Sequence, residues 1–387
     1  MARDSDRHAN TLNAMEAAGL ESLVCFSPAH VLLLSGYWPV MGSSVAVFTR
    51  NGEVIVLLPE DELDLAKATT EAELIAYRPV TLQRLDRPAE ALVAPLRALS
   101  KRLKMAGGSV GTASHDYTQP SPYPATHHFH HTTTHLAQEL CPDATILAAD
   151  DLLEQMQAVK TPTEIGLMKR AALRAKTGFD AAATMIAAGR REDEVAASAG
   201  AAFARVANDG FERGFGQFFC MSGPNSTAAA AAYARTRRRL LERGDVVMVH
   251  ANTTGDGYWT DISRTFVVGE ANARQRDMQE AIAEARDAAL RAIAPGVKAR
   301  AVDSAAREVL KRRGFGDAFK HGAGHGVGFA AVDANARPRL HPVSDDMIEE
   351  GMTFNVEPAI YIEGVGGMRH CDVVACGADG AEVLTDF

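Results

Sequence analysis

Short apolar runs alternate with amphipathic, helix-like stretches along the first part of the chain. β-branched and aliphatic residues dominate the apolar runs, and Asn51-Gly52 lies between two of them as a typical hairpin turn. We therefore expect strands at 22–26, 31–34, 45–48 and 54–58, and helices at about 11–20, 62–75 and 88–104. This alternation predicts an α/β domain, which we place at residues 1–157.

A strong helix start marks the beginning of a second domain. In Thr161-Pro162-Thr163-Glu164 the first Thr can cap, Pro suits the first helical position, and Glu completes a capping box. We expect this helix to run to about Ala188 and the second domain to span residues 158–387. Further helices are expected at about 192–208, 272–293 and 300–313.

Two strand-like runs within residues 246–268 flank a turn rich in Thr, Gly and Asp, which predicts a β-hairpin. A turn centred between Gly255 and Asp256 would place His250 directly opposite Asp261. Directly opposed side chains on one sheet face lie close enough to share a ligand. We therefore expect an imidazole and a carboxylate to lie side by side here.

A second hairpin is predicted around the turn at Gly364. In this register Glu357 faces Cys371, and the alternation of side chains puts Arg369 on the same face as Cys371. The hairpin would thus present a carboxylate, a thiol and a guanidinium together. The alternative is structural, with a buried Cys acting as a small hydrophobe and an Arg–Glu pair holding the sheet.

Between the two hairpins, His321-Gly-Ala-Gly-His325-Gly-Val-Gly328 places two His among four Gly. Glycine lets the backbone approach closely and leaves the imidazoles uncrowded, so we favour a ligand role over a core role. Three separate elements then supply five candidate metal ligands. These are His250, Asp261, His325, Glu357 and Cys371.

Another histidine-rich stretch lies at residues 127–135, where five His occur within nine residues. It could bind a metal ion, but we favour a solvated loop that precedes a helix at 136–140, because no hydrophobic scaffold nearby would fix the rings. This stretch is therefore left out of the candidate site.

Composition narrows the classes of function. A chain of 387 residues with 47% hydrophobic and 23% charged residues is typical of a globular protein with two domains. A net charge of −9 argues against nucleic acid or an anionic membrane as the main partner. Five Cys without C-x-x-C spacing, no visible signal peptide and no apolar run of about 20 residues favour a cytoplasmic location.

The motifs together resemble one superfamily, that of Xaa-Pro aminopeptidases, prolidases, methionine aminopeptidases and creatinases. The matching segments are 256–265, 321–328, 350–358 and 367–369, in the same order and spacing. The resemblance implies an α/β (α+β) fold, with a creatinase-type N-terminal domain followed by a pita-bread catalytic domain. It also implies a homodimer, because the N-terminal domain in this superfamily often reaches across a dimer to close the pocket.

The metallopeptidase branch holds two metal ions with Asp, Asp, His, Glu and Glu, which correspond here to His250, Asp261, His325, Glu357 and Cys371. The changes at 250 and 371 remove the carboxylates that hold the second ion and bridge the pair. The His that assists the scissile amide is missing after Ser222-Gly-Pro-Asn225, and Val332 replaces a further His. His321 corresponds to a substrate-facing His.

Three hypotheses follow. The first is a hydrolase of an amide or other C–N bond in a small molecule or dipeptide, with one divalent ion, Zn²⁺ or Fe²⁺ rather than Mn²⁺. Asp261, His325 and Glu357 would hold this ion, and His250 or Cys371 would be a fourth ligand. We assign His321, Glu357 and Arg369 as catalytic, with His321 and Arg369 contacting the substrate or supporting the ligands.

The second hypothesis is a metal-free hydrolase like creatinase, in which Glu357 acts on a water while His325 or His321 is the general acid. In a variant of it, Cys371 is the nucleophile. The third is a pita-bread binding module without catalysis. Metal content and sensitivity to a chelator separate the first hypothesis from the second.

Overall fold

The computed structural model describes residues 4–41, 43–79, 82–83, 86–103, 107–114, 130–207, 209–230, 234–332 and 336–387. The chain divides into two compact units, Met1–Gln157 and Ala158–Phe387. Within the described ranges, no helix is both long enough and apolar enough to cross a bilayer.

The first unit is a mixed sheet with helices around it. Its helices are α1 (Ser5–Ala17), α2 (Pro28–Ser35), α3 (Leu63–Thr69), α4 (Pro88–Leu103), α5 (His130–Leu140) and α6 (Asp150–Ala158). Its strands are β1 (Ser22–Cys25), β2 (Val45–Thr49), β3 (Val54–Pro59), β4 (Glu73–Tyr77), β5 (Ser109–Thr112) and β6 (Thr145–Ala148). The strand order is β4-β3-β2-β1-β5-β6, and Val47, Leu57, Leu92 and Leu136 belong to the core. The predicted α/β class is confirmed.

Residues 31–34 lie in helix α2, so the predicted strand there is wrong. The Ser27 side chain accepts a hydrogen bond from the His30 amide, Pro28 occupies the first helical turn, and Gly36 ends the helix with φ 75°. An apolar run of four residues carries no periodicity of its own, so the capping residues on either side decide its structure.

Two other predictions in this unit need correction. The helix predicted at 62–75 is only α3, because the chain then enters β4, which pairs in parallel with β3. His130, His131 and His135 lie on the exposed side of α5 rather than in a loop. His127 and His128, the other members of that stretch, are outside the described residues.

In the second unit, helices surround three small sheets. Its helices are α7 (Pro162–Met185), α8 (Glu192–Ala204), α9 (Pro224–Thr227), α10 (Ala273–Ala292) and α11 (Ala299–Arg312). Its strands are β7 (Gly214–Ser222), β8 (Val246–Gly255), β9 (Tyr258–Val267), β10 (Thr353–Val356), β11 (Ala359–Ile362), β12 (Gly366–Arg369), β13 (Asp372–Gly377) and β14 (Gly380–Val383). The sheets have the orders β7-β8-β9, β10-β13-β14 and β11-β12. The predicted capping box of Thr161 and Glu164 is confirmed at the start of α7.

The core of this unit lies between its sheets and the helices α10 and α11. Met278, Ile282, Val302, Phe354 and Ile360 are buried there in one hydrophobic cluster. These side chains hold β8, β10 and β11 in place, and the candidate residues extend from those strands and from their neighbours.

Candidate active site

The β8–β9 hairpin places its two candidate ligands diagonally rather than directly opposite. Asp256 and Gly257, with φ of 46° and 89°, form the turn, so His250 pairs with Ser263 and Asn252 pairs with Asp261. The predicted opposition of His250 and Asp261 is therefore wrong. Because the register differs by two residues, both side chains stay on one face, and His250 Nδ1 lies 3.4 Å from Asp261 Oδ1.

The second hairpin has the predicted register, in which Ala359 pairs with Arg369 and Val356 pairs with Asp372. Glu357 and Cys371 lie between these two ladders. Cys371 forms an antiparallel bridge with Ser263, and its backbone N–H donates to the Ser263 carbonyl at 3.1 Å. The two hairpins are thus joined at the point where their candidate ligands lie.

The glycine-rich segment approaches strand β10 too closely for any side chain. The Asn355 amide donates to the His325 carbonyl at 2.9 Å, and the His325 amide donates to the Asn355 side chain at 2.7 Å. A Cβ on Gly324 would lie 1.9 Å from the Asn355 carbonyl oxygen. The close backbone approach therefore explains Gly324, and it brings His325 beside the β8–β9 hairpin.

Asp261 and His325 lie within contact distance of each other. His325 Nε2 is 3.3 Å from Asp261 Oδ2, and the side-chain amide of Asn355 donates to the same oxygen at 3.3 Å. His325 Nδ1 lies 3.0 Å from the carbonyl of Gly326, which can only accept, so Nδ1 carries a proton. Despite burial, the hydrogen bond and charge of Asp261 raise the pKa of His325 to about 9.

His250 and Cys371 bond to other parts of the protein. Arg369 Nη2 donates to His250 Nδ1 at 2.9 Å, and burial lowers the pKa of His250 to about 4, so the ring is neutral. The Cys371 thiol donates to the backbone carbonyl of Asp261 at 3.1 Å. Burial raises the pKa of Cys371 well above its ordinary value, so the sulfur remains a thiol.

Arg369 lies between His250 on one side and Glu357 on the other. Its Nε donates to Ser263 Oγ at 2.9 Å, and its Nη1 lies 3.6 Å from Glu357 Oε2. The residue is only 5% exposed. Arg369 therefore supports neighbouring side chains, and its guanidinium faces protein groups.

A cavity of about 490 Å³ opens onto part of this centre. Its lining consists of His321, Gly322, Gly324, His325, Arg339, His341, Val343, Ser344, Asp345, Asp346 and Glu357. Three of the candidate residues, His321, His325 and Glu357, thus meet at one opening to solvent. Arg339 makes a two-point ion pair with Asp346 at the rim.

Tyr361 is a site residue that the sequence analysis missed. His321 Nδ1 donates to the Gly322 carbonyl at 2.8 Å, so its Nε2 accepts the hydroxyl proton of Tyr361 at 3.0 Å. Burial lowers the pKa of His321, which favours the neutral ring. The alternation that placed Arg369 beside Cys371 also puts 357, 359 and 361 on one face, and that signal could have found Tyr361.

Comparison with known families decides the relationship. The model of metallopeptidase family M24 matches residues 166–378, and that of the creatinase/prolidase N-terminal domain matches residues 7–159. The chain belongs to metallopeptidase family M24. This membership confirms the predicted superfamily, with a creatinase-type domain ahead of the catalytic domain.

Individual M24 relatives agree with this assignment. The Xaa-Pro dipeptidase of Pyrococcus furiosus is 35% identical over 236 residues, which cover 61% of this chain and 65% of that protein. The Xaa-Pro dipeptidase of Lactobacillus helveticus is 32% identical over 241 residues, 60% of this chain and 61% of that protein. The match thus spans less than two thirds of these curated relatives.

Solved structures extend the likeness to nearly the whole fold. The prolidase from Pyrococcus furiosus covers 97% of this chain and 99% of its own, with a TM-score of 0.75 and 27% identity. The X-Pro aminopeptidase from Thermotoga maritima has a TM-score of 0.79 at 23% identity, which shows the fold alone. The predicted pita-bread architecture is confirmed.

Membership in M24, a metallopeptidase family, implies a divalent metal ion, and the residues here fit it in part. Among the described residues no three His, Cys, Asp or Glu side chains converge as a formed metal centre. Asp261 Oδ1 nevertheless is buried and receives no hydrogen bond from any described residue. A metal ion would replace the proton on Nε2 of His325, while Nδ1 would keep its proton against the Gly326 carbonyl, the usual arrangement of a metal-binding His. Asp261 and His325 therefore suit a cation, with Glu357 nearby on the cavity wall.

Proposed function

We propose that this M24 member is a metal-dependent hydrolase that cleaves the amide bond of a dipeptide or a related small molecule. The observation that carries the proposal is the meeting of His321, His325 and Glu357 on one wall of the cavity, with Asp261 beside His325. The names of the relatives, Xaa-Pro dipeptidases among them, support a dipeptide as the substrate.

Asp261, His325 and Glu357 would hold a single divalent ion. When bound, such an ion polarises a carbonyl oxygen and lowers the pKa of a coordinated water toward neutrality. The chain holds the ligands ready for this role, because Asn355 contacts both Asp261 and His325 while the Gly326 carbonyl fixes the tautomer of His325.

The remaining side chains would orient the reactants. Glu357, with Arg369 at 3.6 Å, is suited to orient an attacking water and to accept its proton. His321, held by the Tyr361 hydroxyl and the Gly322 carbonyl, lines the cavity where a substrate would enter. Arg369 acts behind them as a supporting cation.

The identity of the ion is a separate question. The preference for Zn²⁺ or Fe²⁺ over Mn²⁺ depended on a thiolate ligand, and the Cys371 thiol is bonded to the Asp261 carbonyl instead. Two carboxylates and an imidazole suit Zn²⁺, Fe²⁺ and Mn²⁺ alike. We therefore propose one divalent ion, and elemental analysis of the protein purified without added metal will identify it.

The decisive experiment combines metal analysis with a substrate panel. We expect about one ion per chain, hydrolysis of dipeptides, and loss of activity with a chelator that the ion restores. Ureas, guanidines and small amides serve as the comparison substrates. Activity that survives complete removal of metal would overturn the proposal in favour of a creatinase-like hydrolase, a reading that the relatives' names do not favour.

The same substrate panel tests specificity for proline. Because the peptidase His residues are absent after Asn225 and at Val332, we expect slower cleavage of Xaa-Pro dipeptides than of matched dipeptides without proline. Equal or faster cleavage of the Xaa-Pro substrates would show that this chain does not need those residues. A homodimer and a cytoplasmic location remain proposals from resemblance and composition.

A further inference from the structure

The ring of His250 faces a cation that belongs to the protein. A guanidinium has only donors, so the 2.9 Å contact between Arg369 Nη2 and His250 Nδ1 makes Nδ1 the acceptor. The lone pair that Nδ1 would offer to a metal ion is therefore directed at Arg369. The ring is 1% exposed and stacks near Phe219, so it has little freedom to turn away.

The sulfur at position 371 is directed at the backbone. Cys371 Sγ lies 3.1 Å from the Asp261 carbonyl oxygen, and its bond to that oxygen uses the thiol proton. A metal-bridging sulfur would have to lose this proton and to leave this partner. Both positions that carry the bridging and second-ion carboxylates in the family are thus bonded to protein groups here.

Arg369 is held firmly where it can neutralise the surrounding carboxylates. Its backbone N–H donates to Thr265 Oγ1 at 3.1 Å, and Thr265 Oγ1 donates back to the Arg369 carbonyl at 2.9 Å. The guanidinium reaches from His250 to within 3.6 Å of Glu357. With His250 and Cys371 in place of two carboxylates, a second divalent ion beside His250 would meet this like charge with fewer negative groups to offset it.

We propose that the half of the centre formed by His250, Ser263 and Cys371 binds no second metal ion in this chain, because His250 Nδ1 is bonded to Arg369 and Cys371 Sγ is bonded to the Asp261 carbonyl. Arg369, His250 and Ser263 form a metal-free half of the centre, and the other half keeps the cation site of Asp261, His325 and Glu357. This inference extends the proposed function, from which it takes the one-ion site. Under this proposal, His250 serves as a hydrogen-bond acceptor for Arg369, and the Cys371 thiol has a structural role.

The test counts bound metal in the wild type and four variants. Each is stripped with a chelator, loaded with Co²⁺ and separated from free ion by gel filtration, and bound cobalt is measured by mass spectrometry. The double variant His250→Ala with Cys371→Ser should bind as much cobalt as the wild type. His250→Asp with Cys371→Glu should bind one ion more, because it restores both carboxylates.

Arg369→Met should also take up an additional ion, more weakly, because it removes the like charge and leaves His250 Nδ1 with Ser263 Oγ, at 2.9 Å, as its neighbour. Arg369→Lys, which keeps the charge, is the matched control and should bind no more than the wild type. The wild-type cobalt protein should lack the near-ultraviolet absorption of a thiolate–cobalt bond.

The inference is overturned if the Ala/Ser variant loses an ion, if a thiolate–cobalt band appears in the wild type, or if Arg369→Met binds no additional ion. Should a variant fail to fold, the wild-type spectrum still decides whether Cys371 is a ligand. All expected counts are differences from the wild type. A wild type that is active without metal would therefore end the proposed function and leave this inference standing.

Discussion

Asp261 and His250, one from each half of the site, are equally buried but differ in what their side chains bond to. Asp261 is 2% exposed and His250 is 1% exposed, and they lie 3.4 Å apart. Asp261 keeps one carboxylate oxygen without a hydrogen bond from any described residue, whereas the Nδ1 atom of His250 accepts from Arg369. Burial therefore does not distinguish these two residues, whereas their hydrogen-bond partners do.

This difference teaches that residue type alone does not define a metal ligand. His and Cys are both capable ligands, yet at positions 250 and 371 each has a protein partner for the atom that would bind an ion. A ligand needs an atom with an unused lone pair as well as the right chemistry. The cavity side of the site meets this condition, and the other side does not.

The sharpest way to test the comparison is to remove one member from each half. Asp261→Ala should lose bound metal and reduce kcat/KM by at least about 10³, the scale on which electrostatic catalysts act. His250→Ala, a neighbour of equal burial, is the matched control and should keep its metal. Metal content and steady-state kinetics check both variants, and equal metal loss in the two would erase the distinction between the halves.

A buried ion-pair cluster lies next to Cys371. A substitution in it tests whether the half of the site that contains His250 and Cys371 has a structural role. Asp372 is fully buried, and its carboxylate accepts from Arg264 at 2.8 Å and from Thr385 at 2.9 Å. Asp372→Asn should lower the free energy of unfolding by about 3–5 kcal/mol, because it leaves a buried guanidinium without its counter-charge. Urea unfolding measures this loss.

The metal content of the folded Asp372→Asn protein should equal that of the wild type. A variant that stays stable but binds less metal would mean that this cluster supports the ion instead of the fold. Despite its burial, the hydrogen bond with His370 and the charge of Arg264 hold the pKa of Asp372 below its ordinary value. The carboxylate is therefore ionised and paired in the native protein.

A substitution at Gly324 tests whether the cavity half of the site depends on the close backbone approach to Asn355. A Cβ at this position would lie 1.9 Å from the Asn355 carbonyl oxygen, so Gly324→Ala should destabilise the protein by about 3 kcal/mol through overpacking. It should also weaken metal binding by shifting His325. Gly200→Ala, at a helical position with open space around it, is the control and should stabilise by about 0.5–1 kcal/mol. Thermal unfolding compares the two, and similar stabilities would contradict the close approach.

Tyr361→Phe should have the smallest effect. It removes one hydrogen bond to His321, which is worth about 1 kcal/mol, so kcat should fall by about five- to tenfold with little loss of stability. Tyr77→Phe removes a comparable bond, to the Ser43 carbonyl in the first unit, and should leave kcat as in the wild type. An unchanged kcat in Tyr361→Phe would show that the orientation of His321 does not depend on this hydroxyl.

Local signals predicted much of the fold. The capping box of Thr161 and Glu164 acts within four residues, and the register of the second hairpin follows from one short turn. The first hairpin was misplaced because Gly255, Asp256 and Gly257 offer two possible turns, and only the backbone shows that Asp256 and Gly257 take positive φ. The strand predicted at 31–34 failed because its capping residues outweigh its composition.

The candidate ligands could be named from the sequence, but their partners could not. Arg369 and His250 are 119 residues apart in the chain, and Cys371 and Asp261 are 110 apart. Bonds over such separations depend on how the two hairpins are joined through Ser263. No sequence pattern predicts that contact between the hairpins, so the division of the site into two halves is visible only in the three-dimensional structure.

The turn of the β8–β9 hairpin has a consequence for changes in loop length. Side chains alternate between the two faces of a strand, so only the parity of a register change decides which side they occupy. A shift of one strand by two residues in one direction would place His250 directly opposite Asp261, and a shift by two in the other direction would leave them on a shared face but farther apart. A shift by one residue would send the carboxylate to the opposite face, so an insertion in this turn preserves the centre only where the longer loop absorbs it or the register moves by an even number.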